Sequence, residues 1–395
     1  MNHKRLTVDK EYWVILDFVM GIAYMFFVNF YSHVSHAAII DRMLSILIAI
    51  SFALFLGIML IYLLTKKKDR IFILGYVLIL LAVFGFSQFF FPENNEVFRD
   101  NFTSFILNIF RLTVLLYLIE DYSRFNKWLS NYSICISLFL LYQFFFKGLV
   151  FNNGIYSMAL GYIILFPTII LVSSYIRERK IIFLVGTIIN VFIILLYASR
   201  GPLLCLALFI CFSLLRNSKP YIIIIAAFFI ILLYMFFDQI VQSVLTLIPS
   251  VQLSRTLMYF IQNRAGDDSG RMGMYQRIIS EIARRPFIIR GINSDYHILG
   301  VYTHNIIIEL LYEFGLILGG IIVVDIIYKV IVTYFESKND IYWQTCFVFM
   351  MIAVPELMVS NTLWREWTFW AWIVIFIKCR GGNLFKQILI KTKRM

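Results

Sequence analysis

The sequence predicts an all-α, polytopic integral membrane protein with about 12 transmembrane helices and one large extracytoplasmic loop between helices 9 and 10. Three observations carry that expectation. Of the 395 residues, 61% are hydrophobic and only 15% charged, the balance of a membrane chain and not of a soluble one. Apolar stretches close to the length that crosses ~30 Å of hydrocarbon recur throughout. Lys and Arg cluster in every second connection between those stretches. Basic residues resist translocation, so the rich connections belong to the cytoplasmic side.

In order, Lys4, Arg5 and Lys10 precede a first span at 12–31, Arg42 alone leads into 43–64, and Lys66, Lys67, Lys68 and Arg70 lead into 71–91. Arg99 precedes 102–119, Arg124 and Lys127 precede 130–146, and Lys147 precedes 156–176. Arg177, Arg179 and Lys180 come before 181–198, and Arg200 before 202–215, a short span that recruits Gly201 or Arg216 at its ends. Arg216 and Lys219 come before 220–237. The last spans are 304–328, 341–358 and 364–378, with Lys329 and Lys338, then Arg365, at their connections and six basic residues at the C-terminal end. The chain thus divides into residues 1–237 with spans one to nine, 238–303 as the extracytoplasmic loop with an amphipathic helix, and 304–395 with spans ten to twelve and a basic tail. Both termini are expected in the cytoplasm, and the first stretch lacks a small-residue cleavage site.

The net charge of +12 is mostly this topology, and its short, dispersed runs argue against nucleic-acid binding. The five cysteines lie in or beside spans with neither metal-ligand spacing nor a disulfide framework. Trp13, Trp128, Trp364, Trp367 and Trp370 suit interfacial belts. Gly315 and Gly319 offer a small-xxx-small spacing, read as close helix packing.

Chemistry is expected at the outer face. Ser199-Arg200-Gly201-Pro202 opens span eight, with Pro202 suited to a first helical turn and Arg200 above free backbone N–H groups, an arrangement for an anion; an isolated Arg there also snorkels to the interface. The outer loop carries seven Arg and no Lys, and Arg presents the planar fork that phosphate oxygens accept from. Gly266-Asp267-Asp268-Ser269-Gly270-Arg271 precedes an amphipathic stretch with Met272, Tyr275, Ile278, Ile279 and Ile282 at helical spacing. Asp268 or Ser269 is expected to cap it, with Arg271 in its first turn, and the acidic pair is read as a cap and not as a metal site. At Thr303-His304-Asn305, Thr303 is expected to cap span ten with His304 in the first turn, where the helix dipole favours a neutral imidazole able to accept a proton; a capping or interfacial histidine is the plainer reading. Asn305, Glu309 and Glu313 form a polar stripe for which Arg111 is a candidate partner, and Glu356, beside Pro355, has no assigned role. Asn361, Arg365 and Glu366 complete the outer polar set.

Twelve spans with one large outer loop between the ninth and tenth resemble the bacterial O-antigen polymerase and ligase superfamily. The likeness extends to Ser199-Arg200-Gly201, Ser269-Gly270-Arg271 with its helix, Pro286, Gly291, and His304-Asn305 followed by Glu309 and Glu313-Phe314-Gly315. The chain departs at Asn293, where the family often carries a second glycine after Gly291. The resemblance implies transfer of a glycan from an undecaprenyl-diphosphate carrier to a sugar hydroxyl at the outer face of the inner membrane. Arg200 and Arg271 would hold the diphosphate, and His304 would take the acceptor proton; Ser199, Asn305, Glu309, Arg264 and Arg290 are the expected substrate-binding residues. Inversion at the anomeric carbon is implied, without metal or cofactor. A polymerase building O-antigen or capsule is favoured over a ligase acting on a lipid A core or protein, and over a flippase for lipid-linked sugars. Membrane lipids, a chain-length regulator and a flippase of the same pathway are the expected partners.

Overall fold

A computed structural model describes residues 10–33, 38–65, 67–94, 97, 102, 105–147, 158–197, 200–217, 270–338 and 340–392. The helices are α1 (Lys10–His33), α2 (Ala38–Thr65), α3 (Lys67–Phe90), α4 (Arg111–Leu118, entered through a π-helical turn at Phe105–Phe110), α5 (Tyr122–Tyr142), α6 (Met158–Glu178) and α7 (Ile181–Tyr197). They continue with α8 (Arg200–Asn217), α9 (Arg271–Arg284), the single turn α10 (Tyr296–Leu299), α11 (Ile306–Glu336), α12 (Ile341–Val359) and α13 (Trp367–Thr392). No strand occurs among the described residues. A helix stands at each expected span except 220–237, which lies outside the described residues together with the loop up to 269.

Among the described residues, seven helices are long and apolar enough to cross a membrane, so the protein is a helical membrane protein. Three shorter apolar helices, Asn108–Leu118, Ile181–Leu195 and Gly201–Arg216, accompany them. α4 rises only about 12 Å, so the fourth apolar segment does not form the single long helix that its length suggested.

Burial sorts the helices. The apolar windows of α6 and α12 are each 72% buried, against 17% in α2 and 22% in α3. α12 packs on α8, α11 and α13, and α6 on α5, α7 and α8, so these two form the hub. α2 and α3 present Ile50, Leu60, Leu78 and Phe89 outward, as lipid-facing helices do. Asp121 caps α5 by accepting from Arg124 N (2.9 Å), and Asp340 caps α12 by accepting from Trp343 N (3.0 Å).

Arg111 does not meet the acids of α11. Its guanidinium pairs with Asp17 of α1 at 2.5 Å and donates to Ser51 of α2, while Ser51 Oγ donates to Asp17 Oδ1 at 2.7 Å. All three are buried, and a buried charge is tolerated only with a partner, which here ties α4 to α1 and α2.

Gly315 corrects a second expectation. It is a break in α11 (φ 72°, ψ 169°), not a helix-packing contact. The freed carbonyl of Glu313 accepts from Arg290 N (2.8 Å) and Gly291 N (3.1 Å), and the N–H of Leu316 donates to Pro286 O (2.7 Å). Every one of these partners comes from the segment after α9, so the break is hydrogen-bonded within the protein and exposes no backbone to lipid. A Cβ at Gly319 would collide with the backbone of Leu310, which shows how sharply the first half of α11 folds back against the second.

Candidate functional site

The first half of α11, Ile306–Phe314, and the segments around it build a polar end of the bundle. α9 lies on it: Ile278 and Ile282 are buried against Tyr312, whereas Met272 and Ile279 of the same stripe stay exposed. The N-cap of α9 is Gly270 (φ 83°), with no side-chain cap bond, and Arg271 is the first helical residue. The expected caps Asp268 and Ser269, and Asp267 beside them, lie outside the described residues.

His304 sits two residues ahead of α11, next to its cap, and not in its first turn. The cap is Asn305, whose Oδ1 accepts from Ile307 N (3.0 Å) and Ile308 N (3.2 Å). Thr303, the expected cap, instead donates through N and Oγ1 to Asp295 Oδ2, both at 2.7 Å. This bridge folds the loop so that His304 adopts φ 60°, a conformation that His tolerates better than most residues. Its ring packs on Tyr302 with centroids 4.2 Å apart, and its backbone oxygen accepts from Tyr275 Oη of α9 at 3.4 Å. Nδ1 is buried and has no hydrogen-bond partner among the described residues. Burial, with the Arg271 guanidinium nearby, pushes the imidazole down to about 4, so it is neutral at pH 7. Arg271 acts on Tyr302 and Tyr162 as well as on His304, which puts all four side chains in one neighbourhood.

Tyr162 connects this group to α8. A Cβ on Gly201 would overlap the Tyr162 hydroxyl, so the N-terminal turn of α8 approaches that tyrosine closely, and only a glycine fits. The side chain of Arg200 and the whole of Ser199 and Arg264 lie outside the described residues. Tyr162 and Tyr302 also line a cavity of about 310 Å³ among α1, α5, α6, α12 and residues 360–368. Its polar lining includes Asn29, Asn108, Glu356, Asn361, Arg365 and Glu366. Asn361 (φ 59°) donates to Glu356 Oε1 at 3.1 Å and to Glu366 Oε2 at 2.7 Å, holding the two carboxyls together at the cavity edge. Arg365 is exposed at its mouth and, like Arg271, acts on Tyr302.

The remaining expected contacts have local partners. Glu309 accepts from Thr362 Oγ1 (2.5 Å) and Leu363 N (3.4 Å). Glu313 accepts from Asn293 N (2.5 Å) and Trp364 Nε1 (3.0 Å). Of the polar stripe, Asn305 caps α11, and Glu309 and Glu313 fasten it to the two loops that frame the site. Arg290, expected on the substrate, donates to four carbonyls, those of Ile288 and Tyr312 (both 3.2 Å) and of Glu281 and Arg285 (both 3.0 Å), and lies over the Tyr312 ring. It braces the break at Gly315. Asn293, the departure from the family pattern, has φ 61°, and Asn is one of the few side chains suited to that region.

Tyr162, Tyr302 and the asparagines of α1 and residue 108 went unnoticed in the sequence, where an uncharged residue inside or beside an apolar stretch carries no signal of its own. Comparison with protein-family models, with curated proteins and with solved structures finds no match to this chain.

Proposed function

We propose that the protein polymerises undecaprenyl-diphosphate-linked oligosaccharide repeat units into a surface polysaccharide at the outer face of the bacterial inner membrane. The observation that carries this reading is Arg271 beside a neutral His304 whose Nδ1 is unpartnered, next to a polar cavity with Arg365 at its mouth. A guanidinium suits a diphosphate, and a neutral imidazole suits the hydroxyl of a second sugar.

In the proposed step the acceptor oxygen attacks the anomeric carbon and forms the new glycosidic bond. The bond from that carbon to the diphosphate oxygen breaks with its electron pair, and the lipid diphosphate leaves. The acceptor proton passes to His304 Nδ1, and the configuration inverts. Arg271, with Arg200 and Arg365, neutralises the charge that grows on the departing diphosphate, which leaves no role that a metal must fill. The Tyr302 ring packs against the imidazole at a 56° tilt and restricts its rotation.

A ligase passing the glycan to a lipid A core or protein would use the same step with a different acceptor. A transporter reading draws on the break at Gly315, because broken helices mark many transporter sites. In those sites the freed backbone faces the substrate, whereas here Arg290, Gly291 and Pro286 take it up. Mass spectrometry of surface glycan and lipid-linked intermediates from a deletion strain separates the readings. Single lipid-linked repeats accumulating outside the membrane support the polymerase, unattached long polymer supports the ligase, and repeats retained on the cytoplasmic face support the flippase.

A further inference from the structure

α6 and α12 each line two cavities, one near either end. The first, beside Tyr162 and Glu356, belongs to the His304 region. The second, of about 560 Å³, is lined by Ser173 and Arg177 of α6 and by Thr345 and Phe347 of α12. Tyr162 and Arg177 stand about 22 Å apart along α6, so the two cavities are separate. The volume of the second lies within the usual ~300–1,000 Å³ of small-molecule sites.

Its charge is one-sided. Arg177, Arg179, Arg216 and Lys338 line it, and no Asp or Glu does among the described residues. Glu178 takes one donor of Arg177 at 3.0 Å from outside the lining. Arg216 lies over the Phe347 ring, with its guanidinium carbon 4.4 Å from the centroid, a cation–π contact that holds it at the cavity. Ser213 Oγ is buried at 2% exposure, lines the same cavity, and has no hydrogen-bond partner among the described residues. Glu178 offsets Arg177 alone, so the like charges around this recess still repel one another, and a phosphate group supplies both the opposite charge and the acceptor oxygens.

We propose that this second cavity binds a phosphate group, carried by an anionic lipid headgroup or by a small soluble phosphate. The proposal does not depend on the transfer chemistry at His304. It gives the positive charge of this end a specific ligand, beyond the general attraction that orients membrane helices.

The test is thermal unfolding of the purified full-length protein in detergent, followed by tryptophan fluorescence, with inorganic phosphate, inorganic diphosphate, short-chain phosphatidylglycerol and short-chain phosphatidylcholine titrated separately. A saturable upward shift with phosphatidylglycerol alone identifies a lipid headgroup. A saturable shift with phosphate or diphosphate identifies a soluble anion. In either case Arg216→Gln weakens the apparent affinity at least about tenfold, the loss of one charge-assisted contact, while Arg70→Gln, whose guanidinium donates to Leu63 O and lines neither cavity, leaves it unchanged. If Arg216→Gln does not fold, Ser213→Ala and Lys338→Gln give the same readout with smaller losses. No saturable shift with any phosphate, a shift matched by phosphatidylcholine, or equal affinities in wild type and folded variants overturns the proposal.

Discussion

The two halves of α11, joined at Gly315, differ in burial and in bonding. Leu316–Glu336 is a plain membrane helix, about 30 Å long, with Ile317, Ile321 and Val324 each more than 60% exposed. Ile306–Phe314 is short, carries the buried acids Glu309 and Glu313, and is bonded at every polar position to loops. Gly315 separates them. The comparison teaches that one hydrophobic run holds both a membrane anchor and the support of a polar site, and that the anchor half tolerates change where the support half does not.

The largest expected effects lie just ahead of the support half. Under the proposed reaction His304→Ala removes the proton acceptor and should lower the rate of chain growth by roughly 100- to 10,000-fold, measured on purified protein at equal folded concentration. Arg271→Ala lowers it by roughly 100- to 1,000-fold, as the loss of one charge-stabilising contact does. Rates within twofold of wild type would leave these side chains without the roles given to them.

Acidity sharpens the same contrast. A group whose pKa is depressed on folding keeps its neutral form as pH falls through the ordinary range near 6.5. Activity that depends on His304 as a base should therefore persist at pH 5.5 and fall only near 4, and protonation of the unfolded chain should destabilise the fold over the same window. In an NMR titration of His304, Arg271→Gln should move the midpoint upward only part of the way, because burial is the larger cause. A midpoint near 6.5 in the wild type would contradict the buried setting.

Stability is the next scale. Gly315→Ala places a Cβ at φ 72°, only 3.1 Å from the carbonyl of Phe287 and from Ile288 O, and should cost about 1–3 kcal/mol, read as a lower unfolding temperature. At the far end of the range, Val324→Ala in the anchor half should stay within about 0.5 kcal/mol of wild type. A larger loss from Val324→Ala than from Gly315→Ala would reverse the comparison.

Much of this was legible in the sequence. Apolar runs located the helices because a bilayer allows little else, and the motif residues Arg271, Gly291, His304 and Glu313 do gather in one region. Three things were not legible. Gly315 and Gly319 carry the spacing of a helix-packing motif, and nothing local tells a packed glycine from a left-handed one. The true cap of α11 is Asn305, because Asp295, eight residues upstream, captures Thr303, a contact that sequence spacing does not encode. Arg111, one candidate partner for the acids of α11 with plain structural pairing as the alternative, makes that structural pair with Asp17, a partner 94 residues upstream that spacing does not single out.

Extension of a lipid-linked repeat unit by purified protein in detergent, with glycan length followed by mass spectrometry, tests the central claim most directly. Wild type should build chains, while His304→Ala and Arg271→Ala, folded and at equal concentration, should leave the single unit unextended. Equal chain lengths from all three proteins would contradict the assignment of a transfer site to this end of the bundle.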